Sequence, residues 1–298
     1  MSNNELFDDT VKGNDPEKVV ISAGLTGATT MREHHPAIPY TPEEIAEEAA
    51  KAHEAGAAQV HIHARADDGE PTFSDETYER IYEEVRDRSD VIINFSTGAR
   101  GVPVETRTSY LEAARPEVAA LNMGSMNYAK FSENRNEFVF EGLFDNPFED
   151  IRAFARAMKE HGIKPELECF DTGHIGNIRP LLSLGVLEQP IQFSLVMGVL
   201  GGIPATTADL VNQAQHLPER STWQVIGVGR DQWKMVSAAL SMGGNVRVGL
   251  EDNFYLPSGE MADDSAELVA KAAEMSRNVG REPATPAEAR EILSLDPL

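Results

Sequence analysis

Eight short apolar runs alternate with longer segments of helical period along this chain of 298 residues. This alternation predicts an α/β fold of the (β/α)8 TIM-barrel class. No G-x-G-x-x-G follows the first apolar run, which disfavours the alternative, an open doubly wound sheet. No shift in composition and no Pro/Ser-rich linker divides the chain. We therefore expect a single domain over residues 1–298, with residues 1–18 as a polar N-terminal arm.

The predicted strands are apolar runs of strand length bounded by turn or helix signals. In chain order they are residues 19–25, 58–64, 90–97, 118–124, 165–171, 191–198, 222–228 and 245–250. Between the first two, Thr41 is placed to cap a helix, Pro42 suits its first turn and Gly56 suits its C-terminal end. Ser74 opens the next helix in the same way. The order of elements is that of repeated βα units.

Charge and composition limit the partners. The chain has 26 basic and 49 acidic residues, a formal net charge of −23, which repels nucleic acid and anionic membranes. The acids are spread along the chain, so we expect the surface of a salt-adapted cytoplasmic protein, with an ordinary acidic enzyme as the alternative. No apolar run approaches the roughly 18 residues of a membrane span, and we identify no secretory signal. The single cysteine, Cys169, is compatible with a reducing cytoplasm.

Polar and apolar residues alternate within four of the predicted strands. Because side chains of a strand alternate between its two faces, one face of each strand is apolar and packs on helices, and the other faces the barrel interior. The polar face carries His61, His63, Asn94, Ser96, Glu166, Glu168, Arg247 and Glu251. So many ionisable groups are costly inside a barrel unless they are paired or bind a metal. We expect a site at the C-terminal ends of the strands.

Two histidines on one strand face, His61 and His63, suggest a metal site. Three protein ligands with one open position are typical of catalytic zinc. Glu251 is the candidate third ligand, and Glu168 and Asp252 are alternatives from spacing alone. Fe(II), Mn(II) or Co(II) would suit the same ligands. One catalytic and one structural histidine is the alternative interpretation of the pair.

The chain resembles the β-keto acid cleavage enzyme family nearly from end to end. The motifs that carry the resemblance are TGAT at 26–29, PYTPEEIAEEA at 39–49, VHIHAR at 60–65, INFSTG at 93–98, LNMGSMNY at 121–128, PELECFD at 165–171, VMGVLGG at 196–202, GVGR at 227–230 and VRVGLEDN at 246–253. The resemblance implies a (β/α)8 fold, a divalent metal that is usually zinc, and a homo-oligomer, commonly a tetramer. It implies condensation of a β-keto acid with acetyl-CoA to give acetoacetate and a new acyl-CoA. The alternative function is another metal-dependent barrel lyase, aldolase or hydrolase that needs no CoA.

The resemblance also implies a role for each of a set of residues. His61, His63 and Glu251 would bind the metal, and Asp252 would be the base, supported by Arg247 and Glu168. The substrate would be surrounded by Thr26, Ser96, Gly98 and Asn122, and coenzyme A would enter past Gly201, Gly202 and Arg230.

One position departs from part of the family. Some members carry an acid inside the TGA-x-T loop, where it suits an amino group on the substrate, and this chain has Thr29 there. A hydroxyl cannot form an ion pair with an ammonium group. Since Arg32 lies just beyond, we expect a substrate with an uncharged or anionic tail.

Overall fold

A computed structural model describes residues 14–298; the first part of the predicted N-terminal arm, up to residue 13, lies outside the described residues. The strands are β1 (Lys18–Val19), β2 (Ile21–Gly24), β3 (Gln59–Ile62), β4 (Ile92–Phe95), β5 (Val118–Asn122), β6 (Met126–Ser132), β7 (Glu137–Phe144), β8 (Lys164–Cys169), β9 (Ile191–Met197), β10 (Ser221–Gly227), β11 (Asn245–Val248) and β12 (Glu282–Pro283). The helices are α1 (Pro42–Glu54), α2 (Asp75–Arg88), α3 (Val104–Ala114), α4 (Phe148–Glu160), α5 (Thr172–Gly176), α6 (Ile178–Ser183), α7 (Thr207–Gln215), α8 (Gln232–Ser241), α9 (Ser265–Asn278) and α10 (Pro286–Leu293).

Eight of the strands form a closed parallel barrel in the order β10-β11-β2-β3-β4-β5-β8-β9. Each of these eight lies inside one of the predicted apolar runs or overlaps it closely, so the (β/α)8 prediction is confirmed. The two strands β1 and β12 pair outside the barrel. Among the described residues, no helix is both long enough and apolar enough to cross a membrane.

The helix signals act as the sequence predicts. Thr41 and Glu44 form a reciprocal capping box at the start of α1, and Pro42 is in its first turn. Gly56 follows the end of α1 with a φ of 117°, a value that favours glycine. The hydroxyl of Ser74 accepts a hydrogen bond from the backbone N–H of Thr77 and caps α2. These local signals fix where each helix begins and ends, and so where the next strand enters the barrel.

The main core lies between the barrel and the surrounding helices. Val60 and Ile62 of β3, Ile93 of β4 and Val246 and Val248 of β11 are fully buried in it. Each such side chain contributes about 1.5–3 kcal/mol by leaving water. With these residues facing the helices, the alternate residues of the same strands face the barrel axis.

An antiparallel hairpin, β6–β7, is inserted between β5 and α4 and was not predicted. It lies across the C-terminal end of the barrel. The backbone N–H of Ala129 in β6 donates to the carbonyl of Leu200, which ties the hairpin to the loop after β9. A Cβ atom at Gly201 would overlap the carbonyl oxygen of Asn127, so only glycine allows this close approach of two backbones.

Candidate active site

A cavity of about 430 Å³ opens at the C-terminal ends of the barrel strands. Its floor is polar and includes both histidines of the H-x-H pair, Glu168, Arg247 and the adjacent pair Glu251 and Asp252. Its walls are mostly apolar. Polar groups gathered at the base of an apolar pocket are typical of an enzyme site.

The two histidines come from β3 and the turn that follows it. His61 is 1% exposed, and its Nε2 lies 3.7 Å from Oε2 of Glu251. Nε2 of His63 lies 3.4 Å from Oε1 of the same carboxylate. Burial, with a further effect from Arg247, holds the pKa of His61 well below its ordinary value. His61 is therefore a neutral imidazole, the form that binds metals.

A sharp turn after β11 presents Glu251 and Asp252 to the cavity. Gly249 has a φ of 137°, and a Cβ atom there would overlap the backbone of Gly24 in the neighbouring strand. The N–H of Glu251 donates to the carbonyl of Gly24 at 3.0 Å, and the N–H of Asp252 donates to that of Gly249 at 3.1 Å. Glycine at 249 thus allows a turn directly above the barrel, and this turn places the consecutive carboxylates of Glu251 and Asp252 in the cavity.

Arg247 lies at the centre of the floor and is 2% exposed. Its Nε and Nη2 donate to Asp252 Oδ2 and Oδ1, both at 2.9 Å, and Nη2 lies 2.8 Å from Oε1 of Glu251. Its Nη1 is 3.6 Å from Oε1 of Glu168. Burial opposes the charge of Arg247, but the three carboxyl groups outweigh it and raise the pKa further above its ordinary value. The guanidinium therefore stays charged and holds Asp252 in a two-point contact.

The three carboxyl groups differ in how readily they ionise. Burial opposes ionisation of Glu251, but Arg247 and the two histidines outweigh it, and its pKa lies well below the usual range. Burial raises the pKa of Asp252 to about 6, against the effect of Arg247 and with that of Glu251. Burial raises the pKa of Glu168 to about 8. At neutral pH, Glu251 is ionised, Asp252 can accept or give a proton, and Glu168 retains its proton.

The donor set fits a divalent cation. Ligand atoms of His61, His63 and Glu251 all lie within 4.8 Å of one another. Oε2 of Glu251 is buried and has no direct hydrogen-bond partner among the described residues. Of the alternative third ligands, Asp252 has both oxygens bound to Arg247. The ionised carboxylate of Glu251 beside two imidazoles is therefore a donor set that suits a divalent cation.

Of the four substrate-binding residues that the resemblance implies, three line the cavity and one does not. Ser96, Gly98 and Asn122 line the cavity. Thr26 does not line it; its hydroxyl donates to the carbonyl of His63 at 2.7 Å and accepts from the backbone N–H of the same residue at 2.8 Å. Thr26 therefore stabilises the backbone at His63, a candidate metal ligand that follows β3.

The residues that the resemblance assigns to coenzyme A entry do not line the cavity. Gly201 and Gly202 pack against backbone, the first under the β6–β7 hairpin and the second against the carbonyl of Phe170. Arg230 is exposed in a short 3-10 turn that follows β10. Their neighbours Val199 and Val228 do line the cavity. The loops after β9 and β10 therefore form part of the rim of the cavity.

Several lining residues were not predicted. Phe73, Arg100, Tyr128, Phe144 and Phe170 all face the cavity from loops or from the hairpin. The alternation in the hairpin sequence was a usable signal for Tyr128 and Phe144. Arg100 and Phe73 lie in connections whose course no local pattern predicts. Arg32, in contrast, binds Glu44 at 2.5 Å and does not line the cavity.

Known proteins resemble this chain over most of its length. The family model described as beta-keto acid cleavage enzyme matches residues 18–295. The 3-keto-5-aminohexanoate cleavage enzyme of Fusobacterium nucleatum is 40% identical over 94% of this chain and 98% of its own length. The 3,5-dioxohexanoate:acetyl-CoA acetone transferase of Paraburkholderia graminis is 35% identical over 93% of this chain and 96% of its length. The solved apo structure of ObcA superposes with a TM-score of 0.75 at 24% identity and covers 87% of this chain and 66% of that one, which supports the fold.

Proposed function

Because the chain belongs to the β-keto acid cleavage enzyme family, we propose that it transfers the two-carbon acid end of a β-keto acid to acetyl-CoA. The products are acetoacetate and an acyl-CoA made from the rest of the substrate. The observation that carries this proposal is the convergence of the three metal-type donors on a cavity floor that also holds the Arg247–Asp252 pair. Named relatives that use acetyl-CoA support the choice of co-substrate.

His61, His63 and Glu251 would hold a divalent cation, and we propose zinc because two imidazoles and one carboxylate with an open position suit it. When bound, the ion supplies Lewis-acid polarisation of the substrate's keto oxygen. The ligand atoms of the three residues lie within 4.8 Å of one another. We expect about one ion per chain, with zinc bound more tightly than Fe(II), Mn(II) or Co(II).

Asp252 is the proposed base. It lies in the floor beside Glu251, where burial and Arg247 set its affinity for a proton. Asp252 removes a proton from C2 of the β-keto acid, and C2 then attacks the carbonyl carbon of acetyl-CoA, which releases the CoA thiolate. The thiolate attacks the former keto carbon, and the C2–C3 bond breaks. The electron pair of that bond returns to C2, which recovers its proton from Asp252.

Other residues would bind and orient the substrate. Ser96 and Asn122 line the cavity beside the floor, and Gly98 leaves room between them; the N–H of Gly98 donates to Oγ of Ser96 at 3.2 Å. The Ser96 hydroxyl and the Asn122 amide are donors of a kind that suits a substrate carboxylate. Holding the acid end here would place C2 over the floor, which supplies the proximity that a two-substrate reaction needs.

The first experiment measures acetoacetate formed from a β-keto acid with and without acetyl-CoA, in a buffer of high salt because of the net charge of −23. We expect acetoacetate and a new acyl-CoA in equal amounts, only when acetyl-CoA is present. Cleavage at the same rate without acetyl-CoA would favour the alternative, a lyase or hydrolase on the same barrel.

The substrate tail is the finer part of the proposal: we propose that it carries no positive charge. Three carboxyl groups line the cavity, and all of them surround Arg247 in the floor. Thr29 lines the wall where some relatives carry an acid, and Arg100 lines the mouth. An ammonium group would therefore meet no opposite charge along the walls.

A panel of keto acids tests the tail. We expect 3-oxohexanoate to be used with a higher kcat/KM than 3-keto-5-aminohexanoate, and Thr29→Glu to narrow or reverse that difference. Thr30→Glu is a neighbouring control of the same charge, since Thr30 is not among the lining residues. A strong preference of the unchanged enzyme for the amino substrate would contradict this part of the proposal.

A further inference from the structure

Below the cavity floor, the barrel interior is polar where this fold usually packs branched aliphatic side chains. Gln59, Asn94, Glu166 and Gln192 face inward from four different strands and are all buried. Oε2 of Glu166 accepts hydrogen bonds from Nε2 of Gln59 and of Gln192, both at 2.7 Å. None of the proposed steps uses these residues. Because a buried polar group is costly unless it is hydrogen-bonded, the cluster calls for a physical explanation.

Several atoms at the top of this cluster lack a direct hydrogen-bond partner among the described residues. They are Nδ1 of His61, Oδ1 and Nδ2 of Asn94, and Oε1 of Glu166. Asn94 in β4 is the cross-strand neighbour of His61 in β3. A ring nitrogen of His61 and a carboxylate oxygen of Glu166 lie within 4.8 Å of each other. The unpaired donors and acceptors therefore belong to side chains that meet directly below His61.

The orientation of the His61 ring explains how these unpartnered atoms can act together. Its Nε2 is the nitrogen that faces Glu251, at 3.7 Å. Nδ1 is therefore the nitrogen that remains for a hydrogen bond on the opposite side of the ring. A histidine that binds a metal through one nitrogen usually donates the N–H of the other to an oxygen, which fixes the tautomer and the ring orientation.

We propose that Asn94 and Glu166 are positioning residues that hold the Nδ1 side of His61 and so present its Nε2 to a divalent cation. Oδ1 of Asn94 accepts the Nδ1–H of His61. Nδ2 of Asn94 donates to Oε1 of Glu166, so that the four unpartnered atoms form one chain. This inference rests on the proposed function, because it requires an ion at His61, His63 and Glu251.

Metal affinity is the readout, measured by competition with a chelator of known zinc affinity. In Glu166→Gln, the amide oxygen can still accept from Gln59 and Gln192, which leaves the amide NH2 facing Nδ2 of Asn94 in place of an acceptor. Asn94→Ala removes the acceptor for His61, and Asn94→Asp keeps it. We expect Glu166→Gln and Asn94→Ala to weaken zinc binding by about 10- to 100-fold, and Asn94→Asp to stay near the unchanged protein.

Asn245→Ala is the matched control. Asn245 is also a buried strand asparagine, but it donates to Oδ1 of Asn14 at 3.1 Å and accepts from the backbone N–H of Val20 at 2.9 Å. A purely structural role would lower thermal stability in all the variants and leave zinc affinity unchanged. Zinc affinities of Glu166→Gln and Asn94→Ala within about twofold of the unchanged protein would overturn the inference.

Two outcomes separate this inference from the proposed function. If Glu166→Gln does not fold, the comparison of Asn94→Ala with Asn94→Asp gives the answer alone. If the unchanged protein binds no divalent ion, the metal part of the proposed function fails, and the inference fails with it. If it binds about one ion per chain and the variants bind equally well, only the inference fails.

Discussion

Replacing Asp252 by asparagine tests the assignment of the base, because the change removes the proton acceptor and keeps the size of the side chain. Arg247 would lose one charged partner. It would keep Glu251 at 2.8 Å, and Glu168 lies 3.6 Å from its Nη1. The guanidinium therefore stays paired, and we expect a loss of unfolding free energy of only about 1.5–2 kcal/mol, at the lower end of the range for hydrogen bonds to charged groups.

The expected loss of activity is much larger. A positioned general base contributes about 10²- to 10⁴-fold to a rate. At about 1.36 kcal/mol for each factor of ten, this corresponds to about 2.7–5.4 kcal/mol of transition-state stabilisation. Zinc affinity should be kept, because His61, His63 and Glu251 are unchanged. The prediction is thus a folded, metal-competent protein that has lost proton transfer.

Proton exchange isolates that step. With acetyl-CoA left out, the unchanged enzyme should exchange the C2 protons of the β-keto acid with deuterium oxide faster than buffer alone, and Asp252→Asn should not. Asp231→Asn is a control at a more exposed aspartate bound to Lys234 at 2.7 Å. Exchange and turnover in Asp252→Asn above about a tenth of the normal rates would refute the reasoning.

Three further changes test other parts of the account. Glu251→Gln should lower zinc stoichiometry or affinity measured after dialysis, and full retention of the metal would contradict the ligand assignment. Burial lowers the pKa of Lys164 to about 8 in the folded protein, so the unfolding free energy should rise with pH from about 8 toward the ordinary value of 10.5. Lys164→Met should remove this rise and stabilise the protein at pH 7 by about 1 kcal/mol, measured by urea unfolding. Exposed Lys234→Met is the control. An unchanged dependence of the unfolding free energy on pH in Lys164→Met would contradict this prediction. Gly201→Ala should destabilise the protein by about 2 kcal/mol, because its φ is 107° and its Cβ would overlap the carbonyl of Asn127; an unchanged midpoint would show that the hairpin is not held there.

The barrel and the cavity floor could be predicted because both depend on alternation within short strands. His61 and Arg247 stand between buried aliphatic neighbours, and this pattern alone gives the face on which each side chain lies. Glu251 lies three residues beyond the last barrel strand, and its place at the C-terminal end of the barrel follows from the predicted end of that strand. Sequence alone left Glu168 and Asp252 open as the third ligand, since the choice depends on which carboxylate Arg247 holds.

The walls and the rim could not be predicted in the same way. Tyr128 and Phe144 reach the cavity because the β6–β7 hairpin lies over the barrel, and its position depends on a contact with Leu200 far along the chain. The family resemblance implies that Gly201 lies where coenzyme A enters. In the structure it packs against the backbone of β6. Contacts between loops that are distant in the sequence set these positions, and no local sequence pattern indicates them.

The most direct test of the central claim follows carbon atoms through the reaction. The enzyme is given 3-oxohexanoate labelled with carbon-13 at C1 and C2, together with unlabelled acetyl-CoA, and the products are examined by NMR and mass spectrometry. The account predicts acetoacetate labelled at C1 and C2, with unlabelled butyryl-CoA in equal amount. Labelled acetate, or cleavage that does not need acetyl-CoA, would contradict it.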